Sequence, residues 1–223
     1  MTAPYQTDLV GSFLRPEKLS QARQDFRQGT ISREDLTRTE DETIRQLVDK
    51  LVAHSYPVVT DGEFRRGWYR SDFLGALSGI KLSTYTMNLF GEETLVGSTT
   101  INGPIAWNPD HPFFGHFRFL KELADKNGVA AKLDIPGPNM VLVDRITTDQ
   151  ENYYGHDFKS LAKDFFQVYK DAIQSFYQAV CRYLQLDDPL WVCLVDDSFL
   201  NKIRQAGFDP KEVRQNSQGN PGL

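Results

Sequence analysis

The sequence predicts an α/β fold of the (β/α)8 TIM-barrel type, of which the chain supplies about the first five β/α units. Three observations point to it. Short apolar runs near residues 7, 57, 100, 132 and 183 read as strands, and helical patterns stand between most of them. Such alternation argues for a parallel sheet with right-handed crossovers. Polar residues suited to ligands follow the strands, namely Ser12, Glu63, Asn102, the turn at Gly137, and Asp187, as in a barrel whose site gathers on one face. Finally, Gly-x-Gly-x-x-Gly, the phosphate loop and Gly-x-Ser-x-Gly are all missing, which counts against an open doubly wound nucleotide-binding sheet.

The elements follow in order. Thr7 to Phe13 reads as a short strand entering a glycine turn, and Arg15-Pro16 redirects the chain because the residue before proline avoids helical angles. Glu17 to Gln28 is a charged helix ending at Gly29. Ser32 caps the next helix, with Asp35 completing a capping box. Leu36, Ile44, Leu47, Val48, Leu51 and Val52 give that helix one apolar face, and His54 at its end is a structural residue. Tyr56 to Val59 is a buried strand. From about 74 to 97 the pattern is weak, which predicts an excursion of loops or a small hairpin. Ser98 to Ile105 reads as a strand. Trp107 to Pro112 reads as a turn-rich loop, since adjacent Asp110 and His111 do not point at one metal. Phe117, Leu120, Leu123 and Ala124 mark a helix stopped by Asn127-Gly128. Val129 to Ile135 is a strand ended by Pro136-Gly137-Pro138. Asp157 caps a long helix whose apolar face, Leu161 to Val180, is core. Tyr183 to Asp187 is a strand ending in Asp187-Asp188-Pro189. Leu190 to Leu200 stays open between a wide loop and a helix, and Pro210 begins a short helix.

The totals describe a single domain over residues 1–223. The chain is 40% hydrophobic, 12% aromatic and 25% charged, with a net charge of −5, an ordinary globular composition. No basic stripe invites nucleic acid. No apolar run approaches the roughly 20 residues that span a bilayer, and no signal peptide is visible. Two cysteines, Cys181 and Cys193, are too few for a disulfide framework and suit a reducing cytoplasm. Neither has a histidine at zinc-ligand spacing.

The densest chemistry lies in Thr60-Asp61-Gly62-Glu63-Phe64-Arg65-Arg66-Gly67-Trp68-Tyr69-Arg70-Ser71-Asp72-Phe73. It places a carboxylate at a strand tip, and Gly62 permits a sharp turn. Glu63 is suited to a substrate amine, and Arg65, Arg66 and Arg70 to a carboxylate. The competing reading is a solvated loop with ordinary ion pairs.

Three stretches together resemble the catalytic domain of cobalamin-independent methionine synthase, and more closely its short single-domain relatives. They are Val10-Gly11-Ser12-Phe13 with Arg15-Pro16, Asp61-Gly62-Glu63 with Arg65 or Arg66, and Leu184-Gln185-Leu186-Asp187-Asp188-Pro189. The resemblance implies a zinc-dependent methyltransferase on a (β/α)8 barrel. That enzyme passes a methyl group from 5-methyltetrahydrofolate to the homocysteine thiol, in methionine biosynthesis. It implies Val10, Gly11, Ser12, Glu63 and Asp187 as amino-acid contacts, with Thr100 and Ile101 near the folate. Asp188 stands where the larger enzyme has glutamate. The family's folate-stacking tryptophan and a folate-binding glutamate fall near Asp144 and Cys193, which leaves the methyl donor open. The family's His-x-Cys zinc pair is missing, so the resemblance implies a partial chain without zinc ligands, with open sheet edges that favour self-association. Rival readings are a glycosidase-like or uroporphyrinogen-decarboxylase-like barrel enzyme, and an inactive fragment or interaction module.

Overall fold

The computed structural model describes residues 8–89, 92–140, 153–155, 157–205, 207 and 209–217. The fold is mixed α/β. It divides into two compact units, each assembled from three stretches of chain.

The first unit comprises Met1–Arg66, Pro112–Asp134 and Phe176–Gln185. It holds helices α1 (Glu17–Arg27), α2 (Arg33–Ala53) and α4 (Phe113–Lys126) and strand β1 (Val58–Val59), together with most of β4 (Ala130–Pro136) and β5 (Tyr183–Asp187). The three strands form one sheet in the order β1-β4-β5. β1 and β4 are parallel, with Val58 opposite Ala130 and Val59 opposite Ala131. The capping box at Ser32 and Asp35 is present, each side chain accepting from the other's backbone N–H. It satisfies donors that the first turn leaves without partners. Helix α2 buries Leu36, Ile44, Leu47, Val48 and Leu51, and α4 buries Phe113, Phe117, Leu120 and Ala124. His54 caps α2 through a 2.8 Å contact with the Lys50 carbonyl.

Residues 8–13 form no strand. Their backbone groups are taken up elsewhere: Lys132 Nζ donates to the Leu9 carbonyl at 2.6 Å, and Phe13 N–H to the Gly62 carbonyl at 3.2 Å.

The second unit comprises Gly67–His111, Ile135–Ser175 and Leu186–Leu223. After the short α3 (Ser71–Leu74) comes a long antiparallel ribbon, β2 (Ser78–Leu89) and β3 (Glu92–Ala106). The strand foreseen near residue 100 therefore belongs to a hairpin and not to the parallel sheet. The excursion is two long strands because Thr, Tyr and Ser recur along 83–86 and 98–100, residues that fit a pleated surface. A register shift at Ser78/Ile80 centres on Gly79, whose φ is 78° and where a Cβ would meet the Pro104 carbonyl oxygen at 2.2 Å. Helix α5 (Phe158–Gln178), of which the residues up to Ser175 belong to this unit, starts with Asp157 accepting from Ser160 N–H and buries Leu161, Phe165, Val168, Tyr169 and Ala172. The stretch left open at 190–200 is helical: α6 (Leu190–Cys193), α7 (Asp197–Gln205) and α8 (Pro210–Ser217) follow. Met140, Leu190, Leu194, Leu200, Ile203 and Val213 form their core.

Candidate functional site

β1 delivers the chain into a tight turn at residues 60–66, and the turn is held by its own side chains. Thr60 Oγ1 accepts from Gly62 N–H at 3.2 Å, and Asp61 Oδ1 from Glu63 N–H at 2.9 Å. Gly62 and Glu63 both carry left-handed backbone angles, with φ of 63° and 57°. Such angles suit glycine but strain a glutamate. Asp61, Glu63 and Arg66 are all buried.

The cluster is completed by Asp134 on β4, buried at 4% exposure. Arg66 Nη1 donates to Asp134 Oδ2 at 2.9 Å, and Nη2 to the Asp134 carbonyl at 2.6 Å. Arg66 Nη1 stands 3.8 Å from Glu63 Oε1. Two carboxyls thus face one guanidinium, and Asp134 has the closer claim on it. Burial pushes the Glu63 carboxyl up to about 7; Arg66 pulls against this, and the Asp134 and Asp61 charges add to it. A glutamate placed so holds its proton to higher pH than an ordinary one, and an arriving cation would favour its ionised form.

The other arginines are engaged by the protein itself. Arg65 pairs with Asp41 at 2.5 Å and with Glu40 at 3.6 Å. Arg15 donates to the Glu63 and Arg66 carbonyls at 3.3 and 2.8 Å. Arg65 and Arg66 therefore form ion pairs within the protein, as the competing reading has it, but the turn they brace is buried and not solvated. Arg70 lies in the second unit.

Among the residues singled out from sequence, the structure brings Ser12 to the Glu63 turn. Ser12 Oγ donates to the Gly62 carbonyl at 3.5 Å, beside the Phe13 N–H bond to the same oxygen. Gly11 turns with φ of 77°, and Val10 is exposed. Asp187 is the last residue of β5. Its carbonyl accepts from Gly137 N–H at 2.6 Å, so the Pro136-Gly137-Pro138 turn packs on the Asp187-Asp188 tip. Asn139 Nδ2 donates to Asp188 Oδ2 at 2.8 Å. Thr100 and Ile101 lie on the hairpin, opposite Lys81 and Ile80. Position 144 lies outside the described residues. Sequence reasoning missed Asp134. Its signal was a charged residue alternating with Leu133 and Ile135 in a strand buried from Ala131 onward, because a buried charge needs a partner.

The described histidines and cysteines do not fit a zinc centre. Cys181 Sγ lies 3.5 Å from the Tyr183 carbonyl, and Cys193 packs on the 190–213 core. Burial pushes both thiols up, and among the described residues no histidine or cysteine belongs to a group of three possible metal-binding side chains. His111 is stacked on Trp107, donates to the Phe73 carbonyl at 3.0 Å, and is pushed down to about 4 by burial.

No protein-family model matches the chain. It is 36% identical over 218 residues to the uncharacterized protein YxjH of Bacillus subtilis, covering 95% of this chain and 55% of that protein. It is 25% identical over 187 residues to a methionine synthase of Sulfurisphaera tokodaii, covering 82% of this chain and 51% of that protein. A Listeria monocytogenes crystal structure, provisionally named a vitamin-B12-independent methionine synthase, superposes on all of this chain. Its TM-score is 0.72 at 33% identity, over 64% of its own length. The chain is thus similar to a protein provisionally named a vitamin-B12-independent methionine synthase. The structure of a B12-independent methionine synthase from Shewanella sp. W3-18-1, in complex with selenomethionine, shares the fold at TM-score 0.55 and 18% identity, over 77% of this chain and 47% of that one. This methionine-synthase-like chain spans about half the length of the curated relatives it matches.

Proposed function

We propose that this chain carries the amino-acid-holding part of a methionine-synthase-like S-methyltransferase, which transfers a methyl group from 5-methyltetrahydrofolate or a related donor to the homocysteine thiol. The observation that carries the reading is the buried Glu63 carboxyl. It sits in a strained turn, beside an arginine that directs both its terminal nitrogens to Asp134. Such a carboxyl suits a substrate ammonium, which a charge-assisted hydrogen bond would hold. Val10, Gly11 and Ser12 supply backbone amides for the substrate carboxylate, Asp187 a second carboxylate for the ammonium, and Thr100 and Ile101 the folate side. The parallel β1–β4 pair and the sheet order β1-β4-β5 support a single domain built as part of a (β/α)8 barrel. Zinc belongs to this reading through the family alone. The described cysteines and histidines do not fit it, and no thiol-activating step is assigned to them. Two free cysteines support a cytoplasmic setting. Among the described residues, no helix is long and apolar enough to cross a membrane.

Calorimetric titration with L-homocysteine tests the reading. Glu63→Gln removes a charge-assisted bond worth about 1.5–3 kcal/mol, so Kd rises by roughly ten- to a hundredfold. An unchanged Kd removes Glu63 from the site.

A further inference from the structure

Two buried carboxyls share one guanidinium in this unit, and the proposed ammonium site is one of them. We infer that Glu63 and Asp134 act as a proton-holding pair, in which Arg66 fixes Asp134 as the ionised member and Glu63 keeps a proton that it releases when a cationic amine binds. The inference rests on the amino-acid-site reading above and adds its regulation: the site trades a proton for a substrate ammonium.

The geometry sets the direction of the exchange. Arg66 makes two hydrogen bonds to Asp134, at 2.9 and 2.6 Å, and only a 3.8 Å approach to Glu63. The guanidinium is itself buried at 2% exposure and lies over the Phe113 ring at 4.8 Å, and of the two carboxyls it holds Asp134 the more closely. Like charges this close in a buried site do not both ionise readily. Within the unit, the remaining charged groups around Glu63 do not relieve it. Asp61 on the same turn adds negative charge and accepts the Glu63 N–H. Arg15, from the segment before α1, donates to carbonyls and not to the Glu63 carboxyl. Arg23 of α1 and Arg65 are paired with Glu40 of α2, and Arg65 also with Asp41. Burial and the Asp134 charge accordingly push Glu63 up to about 7. An ammonium supplies the missing cation, Glu63 ionises, and its proton passes to solvent.

Two measurements test this. In the first, the side-chain carboxyls of glutamate are labelled with carbon-13 and titrated by NMR. One resonance is expected to move near pH 7, to vanish in Glu63→Gln, and to titrate at lower pH in Asp134→Asn, which keeps the backbone carbonyl contact with Arg66. In the second, L-homocysteine is titrated at pH 6 in two buffers of different ionisation enthalpy. The wild-type chain is expected to release close to one proton per ligand bound, and its Kd to tighten about tenfold per pH unit between pH 5 and 7. Asp134→Asn is expected to release far less. A Glu63 resonance titrating in the ordinary carboxylate range overturns the inference while leaving the amino-acid site intact, as does homocysteine binding without proton release. No homocysteine binding at any pH between 5 and 9 overturns the amino-acid site itself, and the inference with it. The wild-type arms need no variant, so a variant that fails to fold does not spare the inference.

Discussion

Replacing Gly62 by alanine separates backbone strain from crowding at the turn that carries Glu63. Gly62 has φ of 63°, and a Cβ built there meets Leu47 Cδ2 at 2.5 Å, Phe64 Cε1 at 3.2 Å and Phe13 Cβ at 3.3 Å. The left-handed angle costs an L-residue about 1–2 kcal/mol. Forcing Leu47, a core residue of α2, to give way adds about 1–3 kcal/mol. Gly62→Ala is therefore expected to destabilise the first unit by roughly 2–5 kcal/mol. Gly29 is the matched control, in the same unit: its φ is 73°, but nothing lies within 4 Å of the added Cβ, so Gly29→Ala costs only the backbone part, about 1–2 kcal/mol. Urea unfolding of both variants, followed by circular dichroism, reads the difference. Equal losses in the two variants would refute the close packing of the 60–66 turn on α2.

Arg66→Met leaves Asp134 and Glu63 buried without their cation and is expected to cost about 3–5 kcal/mol at pH 8; the loss should shrink at pH 5, where the stranded carboxyls take up protons, and an equal loss at both pH values would show that the pair is not electrostatically linked. The Glu63 carboxyl is raised from its ordinary value to about 7, so the folded chain holds this proton more tightly than the unfolded chain, and stability should fall as pH rises from about 4.5 to 7. Glu63→Gln should flatten that slope in urea titrations, and an unaltered slope would assign it to another group. Lys132 has a fully buried side chain paired with Asp8 at 2.8 Å; Asp8→Asn should destabilise the chain, and adding Lys132→Met to it should recover most of the loss, with no recovery in the double variant marking the pair as unimportant.

What could be read from the sequence was mostly local. The Ser32–Asp35 box, the Asn127-Gly128 stop and the Asp157 cap each rest on residues within one turn of each other, and each stands in the structure. The pairing of Ser12 with the Glu63 turn was foreseen from their shared position after apolar runs, although residues 8–13 hang on side-chain and turn contacts and not on a strand. Buried charge pairing between distant residues escaped. Arg66 and Asp134 lie 68 residues apart, and nothing near Arg66 distinguishes a cation meant for substrate from one meant for a partner on β4. The extent of the hairpin, foreseen only as loops or a small hairpin over about 74–97, escaped for a related reason. The arm near residue 100 has the composition of any half-buried strand, and its antiparallel partner is set by register along the whole ribbon, from Ser78 opposite Ala106 to Leu89 opposite Glu92.

The claim at the centre of this account is that Glu63 receives an amino-acid ammonium. A crystal structure of the chain grown with L-homocysteine tests it most directly. The account predicts density for the ligand with its amine nitrogen about 2.7–2.9 Å from a Glu63 carboxylate oxygen, with Arg66 still bonded to Asp134. Homocysteine bound elsewhere, or bound at this turn with its amine directed away from Glu63, would contradict it.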